Sequence, residues 1–368
     1  MYRERAVAPH RSTCRQRRRF DVCLSFAFAL SLASFCVPPP GSSAQMPTVQ
    51  APPLLPSPTT PPSPIPSIPA PSPSATEQPA LIAIHQISDE PYLGVCRNTQ
   101  ADRTAAPIYS LFLLSLDGAS IGQLTDGICY DSDISLDRSF LAFRELRFDA
   151  FADSRVGIME TASLQNHWLP IRGDCTEPSF SPDGAQLAVV CDQNIHLVDL
   201  QTTSDIVVAD CVAEDKSCGD PQWSPDGSQI TFFKGMEFTP NPGLYSVDVT
   251  CADDPSTCPK CTRYLIRGTS PHGWAPNGET VAFITFEGDI GLARPNGYVF
   301  QQLPIPELAQ VHSLAWSPAG DQIAINMNTR SDGLNLYIVQ ARTAQITQVT
   351  FSGEDTLQFW IPMRDSRQ

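Results

Sequence analysis

The segment Trp223-Ser-Pro-Asp-Gly-Ser-Gln-Ile-Thr-Phe232 decides the fold, because closely similar segments recur along the chain. Its Pro fixes φ, its Asp accepts hydrogen bonds from nearby backbone and its Gly tolerates positive φ, a combination typical of a tight turn between antiparallel strands. The apolar residues before and after the turn alternate as strand residues do. The related segments are Phe180-Ser-Pro-Asp-Gly-Ala-Gln-Leu-Ala-Val189, Trp274-Ala-Pro-Asn-Gly-Glu-Thr-Val-Ala-Phe283, Trp316-Ser-Pro-Ala-Gly-Asp-Gln-Ile-Ala-Ile325 and the degraded copy Ile134-Ser-Leu-Asp-Arg-Ser-Phe-Leu-Ala-Phe143.

The interval between these segments is nearly constant. The turn residues Ser135, Ser181, Ser224, Ala275 and Ser317 are spaced 46, 43, 51 and 42 residues apart. Each unit also contains a third and a fourth strand-like run, such as Ile195–Leu200 and Ile206–Val208, without helical periodicity. Four short strands in a repeat of this length indicate one blade of a β-propeller. We therefore predict an all-β fold, a six-bladed propeller of four-stranded antiparallel blades.

The repeats resemble those of TolB and related bacterial proteins. Units of that family contain an aromatic-Ser-Pro-Asp-Gly turn, an apolar-Ala-Phe strand and an end close to Leu-Thr. The resemblance covers about residues 81–362 and implies the propeller architecture, but it implies no particular activity, because one fold supports many functions. TolB proteins also have an α/β domain before the propeller, and a proline-rich segment stands in its place here.

Two segments compete to close the ring of blades. Leu357-Gln-Phe-Trp-Ile-Pro362 has a Trp-x-Pro pattern like the innermost strand of the other units, so we predict that this C-terminal strand completes the first blade. The alternative is closure by the strand-like run Leu81–Ile87. Either arrangement removes the exposed sheet edges of an open ring.

The first 44 residues are predicted to direct export. Seven arginines precede or lie beside the apolar run Val22–Val37, whereas residues 1–44 hold only two acids. A basic stretch followed by about 16 apolar residues has the layout of a secretory signal, with Ser42 and Ala44 as small residues before a possible cleavage site. The alternative is an uncleaved N-terminal membrane anchor, although about 20 apolar residues are usual for a span.

Residues 45–80 are predicted to be a disordered linker. Thirteen of the 35 prolines lie between Gln45 and Pro79, with few large apolar residues and Glu77 as the one charge. Such a composition buries too little apolar surface to offset the entropy lost on folding. We expect this segment to act as a stalk for the propeller domain, which we assign to residues 81–368.

The folding part of the chain is strongly acidic. Removing residues 1–44 leaves 17 basic and 37 acidic residues, a net charge of 17 − 37 = −20. This charge argues against nucleic-acid binding, which requires basic surface. It also predicts that partners are basic or neutral and that their association is weakened by salt.

Nine cysteines follow the predicted signal, and the blade pattern suggests how six of them pair. Cys175 and Cys191 are equally distant from Asp183, so they face each other across one hairpin. Two further pairs are predicted where one blade leads into the next: Cys211–Cys218 and Cys96–Cys129. A disulfide framework agrees with export into an oxidising compartment.

The remaining cysteines Cys251, Cys258 and Cys261 lie in one predicted loop between the third and fourth strands of a blade. We expect one disulfide among them and one leftover thiol. The two-residue spacing of Cys258 and Cys261 also suits zinc or redox chemistry, but a zinc site needs four ligands and no fourth is evident in the sequence.

No assembled catalytic set is recognisable. The sequence lacks a Gly-x-Ser-x-Gly nucleophile elbow, and Asp183 and Asp226 have a sufficient role in their turns without a calcium ion. His272 and His312 each precede a predicted innermost strand in neighbouring blades, so we consider them candidate binding residues at the channel mouth. We predict no catalytic residue, no metal site and no cofactor.

These observations favour an exported, non-enzymatic propeller that binds a protein or peptide at the cell envelope or outside the cell. We expect a monomer that contacts a membrane only through its N-terminal segment, if that segment is uncleaved. One alternative is a propeller hydrolase or lactonase with a central metal. A second is an envelope spacer without a discrete ligand.

Overall fold

The computed structural model describes residues 90–100, 108–127, 129–145, 154–214, 216–235, 241–250, 262–329 and 333–362. The predicted export and linker segments, the run Leu81–Ile87 and the cysteines Cys251, Cys258 and Cys261 lie outside the described residues. Within the described ranges, no helix has the length and apolar character required to cross a membrane.

The described residues form 24 strands and one short 3₁₀ helix, Val212–Glu214. In chain order the strands are β1 (Leu93–Asn98), β2 (Tyr109–Leu114), β3 (Ser120–Gln123), β4 (Tyr130–Ile134), β5 (Phe140–Glu145), β6 (Arg155–Glu160), β7 (Asn166–Trp168), β8 (Cys175–Phe180), β9 (Gln186–Cys191), β10 (Asn194–Asp199), β11 (Asp205–Ala209), β12 (Ser217–Trp223), β13 (Gln229–Gly235), β14 (Gly243–Asp248), β15 (Arg263–Ile266), β16 (Thr269–Trp274), β17 (Val281–Ile284), β18 (Ile290–Ala293), β19 (Val299–Leu303), β20 (Gln310–Trp316), β21 (Gln322–Asn328), β22 (Leu334–Gln340), β23 (Ile346–Gln348) and β24 (Thr356–Trp360).

The strands form six antiparallel sheets of four strands, which are the six predicted blades. Blade 1 has the order β24-β1-β2-β3, and blades 2 to 6 each consist of four consecutive strands, beginning with β4, β8, β12, β16 and β20. The first strand of each order is the innermost. We call the side with the turns after the innermost strands the turn face, and the side where one blade leads into the next the link face.

The repeated turns follow from local side-chain chemistry. In blade 3 the Ser181 hydroxyl donates to the Asp183 carboxylate at 2.6 Å, and the same carboxylate accepts the Ala185 N–H at 3.0 Å. The Gly184 N–H reaches the Ser181 carbonyl at 2.9 Å, and Gly184 has φ 69°. Ser224 and Asp226 repeat the hydroxyl-to-carboxylate bond in blade 4, again at 2.6 Å. The turn is therefore encoded by the repeat itself.

The C-terminal strand closes the ring, as the sequence predicted. β24 pairs antiparallel with β1, with Leu93 opposite Trp360 and Cys96 opposite Thr356. The Arg97 guanidinium also contacts the buried Asp355 carboxylate, with Nε–Oδ1 2.7 Å and Nη2–Oδ2 3.1 Å. The first blade thus combines the two ends of the described chain.

The hydrophobic core lies between neighbouring blades. For example, Val190 and Ile195 of blade 3 pack in one buried cluster with Ile230 and Phe232 of blade 4. Successive side chains of a strand point to opposite faces of its sheet, so each blade packs side chains against both neighbouring blades. This packing fixes the six innermost strands around a central channel.

The link face contains three disulfides, and they are the three predicted pairs: Cys96–Cys129, Cys175–Cys191 and Cys211–Cys218. Cys175 and Cys191 are opposite each other in the β8–β9 register, as their symmetry about Asp183 requires. The other two pairs lie at the links from blade 1 to blade 2 and from blade 3 to blade 4. All three therefore brace the same face.

Candidate functional site

The central channel opens on the turn face into a cavity of about 550 Å³. Aromatic residues at the ends of the innermost strands and prolines of the following turns surround it. We call these residues the collar: Phe180, Trp223, Trp274, Trp316, Trp360, Pro182, Pro225, Pro276, Pro318 and Pro362. Cavities of several hundred Å³ have the size of typical ligand sites.

Hydrogen bonds between blades hold the collar indoles. The Nε1–H groups of Trp223, Trp316 and Trp360 donate to the carbonyls of Ser179, Gly273 and Ala315, at 3.1, 3.1 and 2.9 Å. In each case the acceptor lies just before the aromatic residue of the preceding blade. Because the polar edges of these indoles are satisfied inside the wall, the collar presents apolar surface to the cavity. Trp274 and Trp316 are half-buried and present more of this surface than Phe180, Trp223 and Trp360, which are buried.

Asp133 contributes a titratable carboxyl to the cavity wall. Its Oδ2 accepts the Phe180 N–H at 2.7 Å, which joins blades 2 and 3. Burial raises the pKa of Asp133 to about 6, despite the opposing hydrogen bonds from the Phe180 and Ile134 backbone. The charge of the cavity therefore changes within the range of physiological pH.

Three further acids lie in the channel wall nearer the link face. Asp131, Glu177 and Asp220 occupy the same position in β4, β8 and β12, four residues before the turn serine. All three have positive φ, at 43°, 52° and 53°, within bulges of the innermost strands. This conformation, unusual for residues other than glycine, brings the acids of blades 2, 3 and 4 together.

The contacts of these acids differ. Asp131 pairs with Arg144 at 3.1 Å, and the Arg144 guanidinium also donates to Ser154. Glu177 accepts the Asp220 N–H at 2.5 Å. Desolvation raises the pKa of Glu177 to about 7 against that hydrogen bond, and the negative charges of Asp220 and Asp131 raise it further. Desolvation likewise raises the pKa of Asp131, although Arg144 opposes it.

Asp220, His272 and Thr231 form a hydrogen-bonded chain with the order of a nucleophilic triad. His272 Nδ1 lies 2.9 Å from Asp220 Oδ2, and His272 Nε2 lies 3.0 Å from Thr231 Oγ1. However, Thr231 is 0% exposed and His272 is 1% exposed. The Thr231 hydroxyl also donates to the Gln222 carbonyl at 3.2 Å and accepts the Trp274 indole at 2.9 Å. A substrate has no access to this hydroxyl, so the arrangement ties blades 4 and 5 together.

The placement predicted for His272 and His312 is corrected by the structure. Both lie within the innermost strands β16 and β20 rather than before them. His272 is enclosed between blades, whereas His312 is exposed and its Nε2 lies 3.2 Å from Asn328 Oδ1 of the neighbouring strand. Neither histidine lines the turn-face cavity. Their predicted role in ligand binding stays a prediction.

Sequence reasoning predicted binding at the channel mouth through His272 and His312, but it missed the collar residues that line the turn-face cavity and the three acids as a group. A usable signal was present, because an acid precedes the turn serine by four residues in three consecutive repeats. Among the residues that the structure describes, no group of three or more His, Cys, Asp or Glu side chains is arranged to hold a metal ion.

The fold and the channel define a closed six-bladed propeller with an axial cavity large enough for a ligand. Comparison with known structures narrows the class of propeller, because the chain has the propeller fold of TolB-like proteins. TolB from Acinetobacter baumannii aligns with a TM-score of 0.53 and 18% identity, over 74% of this chain and 66% of that chain. The putative TolB from Agrobacterium tumefaciens aligns with a TM-score of 0.51 and 14% identity, over 73% and 92%.

Weaker likenesses include an oligogalacturonate lyase in complex with manganese, with a TM-score of 0.47 and 16% identity over 70% of this chain and 73% of that chain. That likeness carries no argument about activity. No protein-family model matches the chain, and no curated protein matches it. At these identities the shared property is the fold.

Proposed function

We propose that this protein is an exported, non-enzymatic propeller whose collar binds an extended segment of a protein or peptide partner. The observation that carries the proposal is the cavity inside the collar. This cavity has a volume of about 550 Å³, is lined by the aromatic and proline side chains of the collar and opens on the turn face. Aromatic anchors and apolar pockets supply most of the affinity in such interfaces.

The carboxyl group in the wall of the cavity supports a peptide ligand. Asp133 lines the cavity together with polar residues such as Gln222 and Gln358, and polar groups of this kind orient a ligand between apolar contacts. The acidic surface further favours a partner with basic residues, through steering and through charge complementarity.

The buried acid–histidine–threonine chain supports a non-enzymatic role. Its hydroxyl is enclosed and already holds three hydrogen-bond partners. The three disulfides support export, because such bonds persist in oxidising compartments outside the cytoplasm. The basic and apolar character of residues 1–44 points the same way.

The test is selection of a phage-displayed library of random twelve-residue peptides on the purified propeller. Leu136 lines the collar cavity and is 54% exposed, so Leu136→Arg adds a bulky cation there with little effect on folding. Leu308, 61% exposed at the link between blades 5 and 6, gives the matched control Leu308→Arg. Peptides selected on the wild type should bind Leu136→Arg about tenfold more weakly and Leu308→Arg unchanged.

Binding to the wild type should also weaken between 50 and 500 mM salt, as expected for acidic surface recognising basic segments (about tenfold if two or three charges pair). Failure to select any peptide at either ionic strength, or equal binding by both variants, contradicts the proposal. Elemental analysis of the purified protein tests the hydrolase or lactonase alternative, which a stoichiometric bound metal would favour.

A further inference from the structure

Two shallow depressions extend the collar across the turn face of blade 5. The first, of about 380 Å³, shares Trp274, Pro225 and Pro276 with the collar cavity. The second, of about 580 Å³, shares Gly278 and Pro295 with the first. Since consecutive depressions have common walls, they form one groove, which we call the blade-5 groove, from Trp274 outward to Phe300.

The groove has the length of a short extended peptide. Trp274 ends the innermost strand β16, and Phe300 lies in the outermost strand β19. Three interstrand spacings of about 4.8 Å separate these strands, so the groove is roughly 14 Å long, or about four extended residues at 3.3 Å each. Pro225, Pro276 and Pro295 form its sides. Because proline has no backbone N–H, these residues cannot compete as hydrogen-bond donors with the backbone of a bound chain.

The charges of the groove are arranged along its length. Asp226 and Glu279 are exposed acids on the turns of blades 4 and 5. Hydrogen bonds from Ser224 and from the Ser228 hydroxyl and backbone lower the pKa of Asp226, so it stays ionised at neutral pH. Arg294 lies at the outer end, where its guanidinium is 5.8 Å from the Tyr298 ring centre.

The outer end of the groove is apolar and exposed. Tyr298, Val299 and Phe300 all present exposed side chains at the start of β19. Phe300 lines the second depression, so an apolar residue leaving the groove would contact it. The groove therefore offers an apolar contact at each end and the carboxylates of Asp226 and Glu279 between them, with the Arg294 guanidinium beside the outer contact.

We propose that the blade-5 groove binds the continuation of the partner segment held by the collar, with a lysine or arginine opposite Asp226 and Glu279 and an apolar residue against Phe300. The proposed ligand is thus an extended peptide in which an apolar residue is followed two to three positions later by a basic residue and then by a second apolar residue. This inference rests on the proposed function, because the collar supplies the first anchor.

The test uses the same peptide library with two pairs of variants. Glu279→Lys reverses one charge in the groove, and Glu287→Lys makes the same change on the exposed turn of blade 5 at the link face. Phe300→Ala removes the outer apolar contact, and Phe286→Ala removes a phenyl ring of equal exposure, 47% against 46%, at the link face. Both controls lie in the same blade, so general damage to that blade would appear in them as well.

Peptides selected on the wild type should carry Lys or Arg two to three positions from an apolar anchor. Glu279→Lys should bind them about tenfold more weakly and should select acidic residues at that position, while Glu287→Lys keeps the wild-type preference. Phe300→Ala should lose about fivefold in affinity and Phe286→Ala less than twofold.

Two outcomes overturn the inference, and they are distinguishable. If selected peptides depend on Leu136 but bind Glu279→Lys and Phe300→Ala as they bind the controls, the collar proposal stands and the groove carries no part of the ligand. If no peptide is selected on the wild type, the proposed function fails and the groove inference fails with it.

Discussion

His272 Nδ1 lies 2.9 Å from Asp220 Oδ2, and this contact joins the innermost strand of blade 5 to that of blade 4. The same carboxylate oxygen accepts the His272 backbone N–H, also at 2.9 Å. Burial raises the pKa of Asp220, but the charge and hydrogen bonds of His272 more than offset it, so the pKa lies below its ordinary value. The pair therefore ties the two blades together, beside the contacts that His272 and Trp274 make with Thr231.

Removing the charge of Asp220 should destabilise the propeller. We expect Asp220→Asn to lower the free energy of unfolding by about 2–4 kcal/mol, because it leaves an enclosed imidazole without its anionic partner. Urea unfolding at pH 7 with the disulfides intact measures this change.

The matched control is the pair His196–Asp205, which has Nδ1–Oδ1 2.8 Å but lies at the outer side of blade 3 between β10 and β11. Asp205→Asn should cost less than about 1 kcal/mol because solvent screens that pair. Equal losses of unfolding free energy in the two variants would show that the contact between blades stabilises the protein no more than the pair at the outer side of blade 3.

The features predictable from the sequence are those encoded within one repeat. Ser181 and Asp183 make their turn from side chains two residues apart, so the pattern is visible without knowledge of the fold. The pairing of Cys175 with Cys191 follows from the same hairpin register. The closing strand was recognisable because Trp360 and Pro362 keep the spacing of the other innermost strands.

The missed features arise between repeats. Asp131, Glu177 and Asp220 meet only because parallel innermost strands of three blades carry bulges at the same level. Positive φ at residues other than glycine has no reliable sequence signal. The enclosure of His272 depends on Thr231 of another blade, 41 residues earlier, so the sequence alone suggested an exposed histidine at the channel mouth.

Deleting the closing strand should unfold the first blade. A chain ending at residue 352 lacks β24 and the Asp355 carboxylate, and it leaves Asn326 without two of its partners, the Asp355 carbonyl and the Leu357 N–H. Because β1 would then become an exposed edge beside the channel, we expect the Tm to fall by at least about 10 °C, or cooperative unfolding to be lost.

A chain ending at residue 362 retains β24 and serves as the control, with a Tm close to that of the full chain. Scanning calorimetry compares the two truncations. An unchanged Tm for the shorter chain would mean that another segment closes the ring.

The contribution of each disulfide to the stability of the propeller should increase with the length of the loop that it closes. The bonded cysteines are 33, 16 and 7 residues apart in Cys96–Cys129, Cys175–Cys191 and Cys211–Cys218. Loop entropy predicts losses of about 3.7, 3.1 and 2.4 kcal/mol when each pair is replaced by serines. Urea unfolding of the three double variants checks the order. A larger loss for the shortest loop than for the longest would show that native packing around the sulfurs outweighs loop entropy.

The propeller should lose stability as the pH rises from 5 to 7. The raised pKa values of Asp133, about 6, and Glu177, about 7, mean that the folded state binds more protons than the unfolded chain in this interval. Stability then falls with increasing pH. Although the surrounding wall desolvates the Glu177 carboxyl, this residue is exposed along the open channel, and Asp133 borders the cavity. Solvent screening therefore limits the combined effect to about 1–2 kcal/mol.

Asp133→Asn should therefore flatten the decline between pH 5 and 6, and Glu177→Gln should flatten it between pH 5 and 7. Asp183→Asn is the control: hydrogen bonds from Ser181 and the Ala185 backbone lower the pKa of Asp183, so its contribution changes only below about pH 4. Urea unfolding at half-unit pH steps gives the three slopes. Since ionisation of Asp133 also adds negative charge to the collar, binding of selected basic peptides should strengthen over the same interval, and Asp133→Asn should remove that gain. A rise of wild-type stability from pH 5 to 7, or a slope unaffected by both acid variants, would contradict the assignment of these carboxyls as the titrating groups.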